Sequence, residues 1–589
     1  MCATATPRRS DGYGERSPPR HPPWPPHRSS CRTSNRSPKG GHMFTQRVLT
    51  SLVLSGLLIL AAGAPAVDAA VLTLDACTPE ALRALIAGAV GGDVLLLPAC
   101  TIFVAGASGD DANASGDFDV TTSITLQGVG PGATILDGGG LDRVLDIRPG
   151  ATVVVADLTV RNGAAALVDE DGGGIRNEGT TTIINVVITG NTAADDGGGI
   201  YNLGTLTVTG SVISNNFAGD DGGGIRSFNA GAVAVLDGSR VVGNSCGDSG
   251  GGVDNDSGTM TIRESTIADN LAADNGGGIE SRSNEAPGVL VVERSTVSGN
   301  GADSGGGVRQ TSDTTNTTFV NTAIAHNAAD NGGGGISMST GTLTLVNTTI
   351  ARNADTSGLV DGAGGIATSG GTLNVRNTII AQNVVGPGTP AANADVFGVL
   401  SENQSSFIGT VDGNPRLGPL QDNGGPTFTM APFPGSPLID TGNNALATAQ
   451  GLTTDQRGAG FARLVDGDGN GTATVDRGAV EVAAATGPAN VAILFLSHLA
   501  PTPGDTVVLG ILIRAPGRTI VGGAALFDDF VINEPLVSCP LLAGTLITGE
   551  QTFTCSFPAF LLPPGVHIFS LFLDLDDGTT LSDTATIGG

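Results

Sequence analysis

The segment Asp466-Gly467-Asp468-Gly469-Asn470-Gly471 puts oxygen-bearing side chains at positions 1, 3 and 5 and glycine at 6, the first half of an EF-hand-type calcium loop. The carbonyl of Thr472 takes position 7. Position 12, where a bidentate carboxylate belongs, is Arg477, so Asp476, one place early, has to swing in as the closing ligand. Neither flank reads as a helix, and the alternative is a Gly/Asp turn without metal. A second acidic pattern lies upstream. Asp195, Asp220, Asp248, Asp274 and Asp303 each stand five residues before an Ile or Val, and Glu170 holds the same place one repeat earlier. Stacked about 4.8 Å apart, each neighbouring pair repels by roughly 1 kcal/mol even in bulk water. The row is therefore either a line of solvated turn aspartates or a stripe for cations or a cationic partner.

Carboxylates are plentiful enough to supply the two acids of a glycosidase, but bases are not. No lysine follows Lys39, and the histidines after residue 70 are His326, His498 and His567. His326 falls inside a turn and reads as solvated. Arg176 and Arg226, each one residue past a Gly-Gly-Gly-Ile block, are placed to stack near the aspartates. Tyr201 is the only tyrosine or tryptophan after Trp24 that could serve as a sugar platform. No catalytic residue is assigned, and a noncatalytic role is the first expectation.

What must position these residues is a repeat. Glycine fills 91 of 589 positions, aromatic residues make up 4% and charged residues 14%. These values exclude a coiled coil or a charge-rich disordered chain, and the lack of a G-X-Y period excludes collagen. Gly-Gly-Gly followed by Ile or Val ends at Ile175, Ile200, Ile225, Val253, Ile279, Val308 and Ile336, with a degenerate copy at Ile366. An Ile/Val-x-x-Asn block ends at Asn191, Asn216, Asn244, Asn270, Asn300, Asn327, Asn353 and Asn383, and in the first six of these the Asn lies eight or nine residues before the next Ile/Val. Between them run alternating segments such as Thr205-Leu206-Thr207-Val208-Thr209, the period of a half-buried strand. No helical period appears in the repeats. This predicts an all-β right-handed parallel β-helix over 102–400, one coil per repeat and two or three strands of four to five residues per coil. A propeller would need longer blades. Nine coils would make a rod about 43 Å long. The stacked asparagines form a ladder, in a left-handed turn that asparagine tolerates.

The ends differ in character. Residues 1–42 are Arg/Pro/Ser-rich and read as disordered or as a mis-assigned start. Residues 43–69 read as a signal peptide, a membrane anchor being the alternative. Nine of the 28 basic residues and only three of the 56 acids lie in the first 70, leaving 19 basic against 53 acidic residues beyond. Such a surface repels nucleic acid and anionic lipid, and no later segment reaches the length of a membrane span. Secretion permits disulfides, and Cys77–Cys100 and Cys539–Cys555 are the local pairs, leaving Cys246 free. Residues 70–101 read as an N-terminal cap with a short helix: Thr78 as N-cap, Pro79 first, and Leu82, Leu85 and Ile86 on one face. Residues 483–589, with longer strands and fewer glycines, read as a β-sandwich.

The run Asp110–Asp119, Ile124-Thr-Leu-Gln-Gly, Gly140-Leu-Asp-Arg-Val and Cys77-Thr-Pro-Glu-Ala-Leu-Arg resembles the opening of secreted bacterial β-helix proteins with a CSLREA-type N-terminal segment. Leu417-Gly-Pro-Leu-Gln-Asp-Asn-Gly-Gly-Pro-Thr, Pro434-Gly-Ser-Pro-Leu-Ile-Asp-Thr-Gly and Thr454-Asp-Gln-Arg-Gly resemble the choice-of-anchor Q segment that closes such rods, here 401–482. The glycine and asparagine blocks are also similar to polymorphic outer-membrane protein repeats, with Ile or Val where that family prefers Phe. The resemblance implies a pectin-lyase-like solenoid that is secreted or held at the cell surface. Its implied role is structural, adhesive, or binding of a polysaccharide or surface protein. A polysaccharide lyase or glycoside hydrolase of the same fold is the alternative.

Overall fold

The computed structural model describes residues 69–483, apart from 110–112, 168–169, 359–361, 388–390 and 434, together with the backbone of strands between Asn490–Leu496 and Thr580–Gly588. The segments read as a disordered start and a leader lie outside the described residues, up to residue 68.

The repeats wind into a parallel β-helix. One coil consists of Thr180–Ile184, Val187–Thr189, Thr192–Ala193 and Ile200–Asn202, and each strand pairs in parallel with its counterpart in the next coil. Four parallel sheets of 13, 12, 9 and 11 strands result, here called the long, second, short and groove faces. The expected two or three strands per coil are therefore four, of two to five residues. The 11-strand groove face gives eleven turns rather than nine, about 50 Å of rod. Strands of the same sheets run from Val71–Thr73 to Phe407–Ile408, beyond both expected limits of the helix.

Each corner has a cause. On the long face Leu206 and Val208 point inward and are fully buried, while the threonines between them face out. The coil then bends at Asn185 and again at Gly190, both at positive φ. The ladder asparagine comes one residue after the second bend and is not itself left-handed, contrary to expectation. The left-handed position is the residue before it: Asn215, Asp269, His326, Arg352 and Gln382 occupy it, as do three glycines. The short face has room only for small inward residues, Ala218, Cys246, Ala272 and Ala302. In the glycine block the first residue, Gly197, takes φ +65, and the next two are forced by contact. A Cβ on Gly198 would lie 2.3 Å from the Phe217 carbonyl, and one on Gly199 2.5 Å from that of Gly224.

Eight asparagines from Asn191 to Asn383 form one buried ladder. The Asn216 Oδ1 accepts from both the backbone N–H and the Nδ2 of Asn191, at 3.0 and 2.9 Å. The Asn216 Nδ2 donates to Asn244 Oδ1 (2.9 Å) and to the Ile188 carbonyl (3.1 Å). Every amide is thereby satisfied. The last asparagine, Asn383, donates to Asp395 Oδ1 at 3.0 Å. A carboxylate suits that end because it accepts and carries no amide hydrogens needing a further coil. A second ladder of hydroxyls runs alongside: Val186 N–H donates to Ser211 Oγ, Ser211 N–H to Ser239 Oγ, and so on through Ser265 and Ser295. These residues stand five before each ladder asparagine, a recurrence visible in the sequence but not read from it.

The helix Pro79–Gly88 has Thr78 as N-cap, its hydroxyl oxygen accepting from Ala81 N–H, and packs Leu82 and Ile86 into the core. Cys77 and Cys100 are bonded, and Cys246 is free and buried. The expected Cys539–Cys555 bridge lies outside the described residues. The segment expected to close the rod's end runs back along the second face. Leu417, Met430 and Leu438 pack on Ala325, Ala351, Ile379 and Phe407. Thr296 Oγ1 donates to the Phe428 carbonyl (2.6 Å), Asn321 Nδ2 to that of Thr454 (2.9 Å), and Ala479 N–H to Thr349 Oγ1 (3.0 Å). After residue 489 the strands form antiparallel sheets. One joins Asn490–Leu496, Thr506–Arg514 and Glu550–Pro558; the other joins Arg518–Phe527, Val566–Leu575 and Thr580–Gly588.

Candidate functional site

Each groove-face strand turns its first residue, Phe118, Leu145 and thereafter Ile or Val, into the core and its second outward. Register therefore stacks one outward residue per coil: Asp119, Asp146, Arg176, Tyr201, Arg226, Asp254, Glu280, Arg309, Ser337, Ala367 and Phe397. Arg176 and Arg226 do lie near aspartates. Arg176 is 3.6 Å from Asp146 and also pairs with Glu178. Arg226 lies 3.1 Å from both Asp196 and Asp254, and Arg282 lies 3.1 Å from Asp254 and 3.2 Å from Asp256. Asp221 bonds to both guanidinium groups.

Four carboxyl groups thus share two arginines, in positions mostly closed to solvent; Asp254 and Asp256 have no exposed surface. Removal from water, with repulsion from Asp221 and Asp171 only partly offset by Arg226, pushes Asp196 up to about 8. Burial, reinforced by Asp254, likewise pushes Glu280 up to about 8. One oxygen of Asp254 and one of Glu280 are buried without a hydrogen-bond partner. Tyr201 lies between Arg176 and Arg226, buried, its phenol pushed up by burial and by Asp171 and Asp196.

Past this network the row becomes small, and a cleft of about 240 Å³ opens between Arg309 and Phe397, floored by Ser337 and Ala367 and edged by Ser304 and Asn331. Asp254, Asp256, Glu280, Arg282 and Arg309 were missed by sequence reasoning. The place that picked out Arg176 and Arg226, one residue past the glycine block, also holds Asp254, Glu280 and Arg309.

The acidic row stacks along the corner before this face. Asp220 N–H donates to the Asp195 carbonyl, Asp248 to Asp220 and Asp274 to Asp248, each at 2.9 Å. Asp303 follows in register, since Ser304 bridges Asn275. Burial and neighbouring aspartates raise Asp220 and Asp248. Carboxylate oxygens of Asp171, Asp195 and Asp196 lie within 4.8 Å of one another, as do those of Asp196, Asp220 and Asp221. His326 is an exposed residue at φ 60.

At the other candidate site, Asp466 and Asp468 come together with Asp440, their oxygens within 4.8 Å. Asp466 accepts from the N–H groups of Gly469, Asn470 and Gly471, and Asn470 Oδ1 accepts from Thr472 N–H. Asp476 is not among these ligands. It is fully buried and accepts from Asp440 N–H (2.7 Å) and Val482 N–H (2.7 Å). Asp440, 26 residues before the loop, joins the cluster instead; distance in sequence hid it.

Comparison with family models, with curated proteins and with solved structures returns no match. No helix among the described residues is long and apolar enough to cross a membrane.

Proposed function

We propose that this chain is a secreted or cell-surface rod of the right-handed, pectin-lyase-like kind, whose work is structural, adhesive or binding, toward a polysaccharide or a surface protein. The observation that carries this reading is the groove face itself. Arg176, Arg226 and Arg282 on and beside it are engaged by aspartates within the protein, and the open part of the same face is a cleft floored by Ser337 and Ala367 and walled by Phe397. Ion pairs of this kind join stacked coils, while a cleft lined by hydroxyl, amide and guanidinium groups beside an aromatic wall suits a polar ligand. The helix at residues 79–88 serves as the N-terminal cap, the 409–482 segment as the anchor-Q-like clamp, and the C-terminal sheets as a sandwich.

Calcium is the proposed ion of the loop, held by Asp440, Asp466 and Asp468 with Asn470 and the Thr472 carbonyl. Asp440 Oδ1, buried and without a hydrogen-bond partner, fits that role. Melting of the full chain with millimolar calcium and with chelator tests it: a rise lost in Asp466→Ala/Asp468→Ala supports the site, and an unchanged melt removes it.

One observation favours a polysaccharide-cleaving enzyme instead. Asp196, whose carboxyl burial pushes up to about 8, has a carboxylate oxygen within 4.8 Å of one of Asp221, two carboxyl groups with unlike surroundings on one face. Turnover of pectin-like polymers that vanishes in Asp196→Asn would establish that reading.

A further inference from the structure

Four consecutive outward residues of the groove face, Arg309, Ser337, Ala367 and Phe397, form a site of their own. Three strand steps separate the guanidinium from the phenyl ring, about 14 Å of backbone. The two residues between are small, which is why the cleft opens here. Arg309 differs from the arginines above it on the row. Its Nη1 donates to Ser337 Oγ (2.5 Å), its Nε is buried without a partner, and it makes no ion pair among the described residues. Its row neighbour Glu280 is buried, and burial with the nearby Asp254 raises its carboxyl. Ser304, whose Oγ donates to Ser337 Oγ (3.0 Å), and Asn331 add hydroxyl and amide groups along one edge.

We propose that this cleft binds a single anionic sugar residue, its carboxylate or sulfate on the Arg309 guanidinium, its hydroxyls toward Ser304 and Asn331, and its ring against Phe397. The proposal rests on the glycan-binding reading above and names the ligand class. A guanidinium fork matches a carboxylate or sulfate edge. An aromatic wall beside hydroxyl and amide groups, here with Thr368 and Ser369 also on the lining, suits a sugar ring and its hydroxyls.

The test is titration calorimetry on the full chain with three disaccharides of one linkage: one carrying a glucuronate, one a sulfate ester, one neutral. Arg309→Gln and Phe397→Leu are compared with the exposed second-face control Arg240→Gln. The expected result is binding of one or both anionic sugars, the arms telling carboxylate from sulfate. Affinity should fall about tenfold in Arg309→Gln, fall less in Phe397→Leu, and stay unchanged in the control, with all melting curves superimposable. Equal affinity for the neutral sugar, or an unaltered Arg309→Gln, overturns the subsite while leaving glycan binding elsewhere on the rod intact. Failure of all three sugars to bind, together with no retention on any immobilised glycan, overturns both.

Discussion

A single buried amide shows how much each ladder residue contributes. Asn270 Oδ1 accepts from the N–H and Nδ2 of Asn244, and its own Nδ2 reaches Asn300 Oδ1 and the Val241 carbonyl, all within 2.9–3.0 Å. Asn270→Ala leaves donors on one coil and an acceptor on the next without partners or water. A loss of about 3 kcal/mol is expected in urea unfolding; a change under 1 kcal/mol would show the ladder to be incidental. Glu280 makes the opposite kind of case. Its folded-state pKa of about 8 stands above the usual unfolded value near 4.3, so the native state binds the extra proton between those limits. Its contribution is fully present below about pH 4 and is lost as pH rises through 8. The melting temperature should therefore fall from pH 5 to pH 8, and Glu280→Gln should flatten part of that slope. A slope identical to wild type would show Glu280 to be ionised in the native state.

At the scale of elements, the sequence revealed what repeats and concealed what does not. The fixed phase of Asn191 to Asn327 against the glycine blocks was enough to predict stacking, because one turn of the chain returns each residue above its predecessor. The four-strand cross-section was not legible: a two-residue strand such as Thr192–Ala193 is too short to show alternation. Nor was the site's column, since its residue type changes from coil to coil through Tyr201, Asp254 and Ser337, and only the register aligns them. The returning segment was hidden by distance, as with Gln456, whose Nε2 donates to the Ser295 carbonyl across 161 residues. That segment has its own buried centre. Arg463, 1% exposed, lies 3.1 Å from Glu481 and donates to the carbonyls of Asp476 and Gly478. Arg463→Met removes one partner of a buried pair and should cost about 3 kcal/mol or more. Limited proteolysis should then cut within 409–482 while the coils before residue 290 resist. Uniform resistance would mean that the segment is held by its apolar contacts alone.

For the whole molecule, eleven stacked turns supply a continuous face that one-residue changes can modulate locally, since each coil pairs with its neighbours. The charged stretch of the groove face and the cleft beside it divide that face into a part that holds the rod together and a part open to a ligand. The central claim, that the rod binds without cleaving, is tested most directly by incubating the full chain with end-labelled pectin-like and other acidic glycans and following polymer mass and retention together. Retention, with the mass distribution unchanged after prolonged incubation, is the predicted result. Shortening of the polymer that disappears in Asp196→Asn would contradict it.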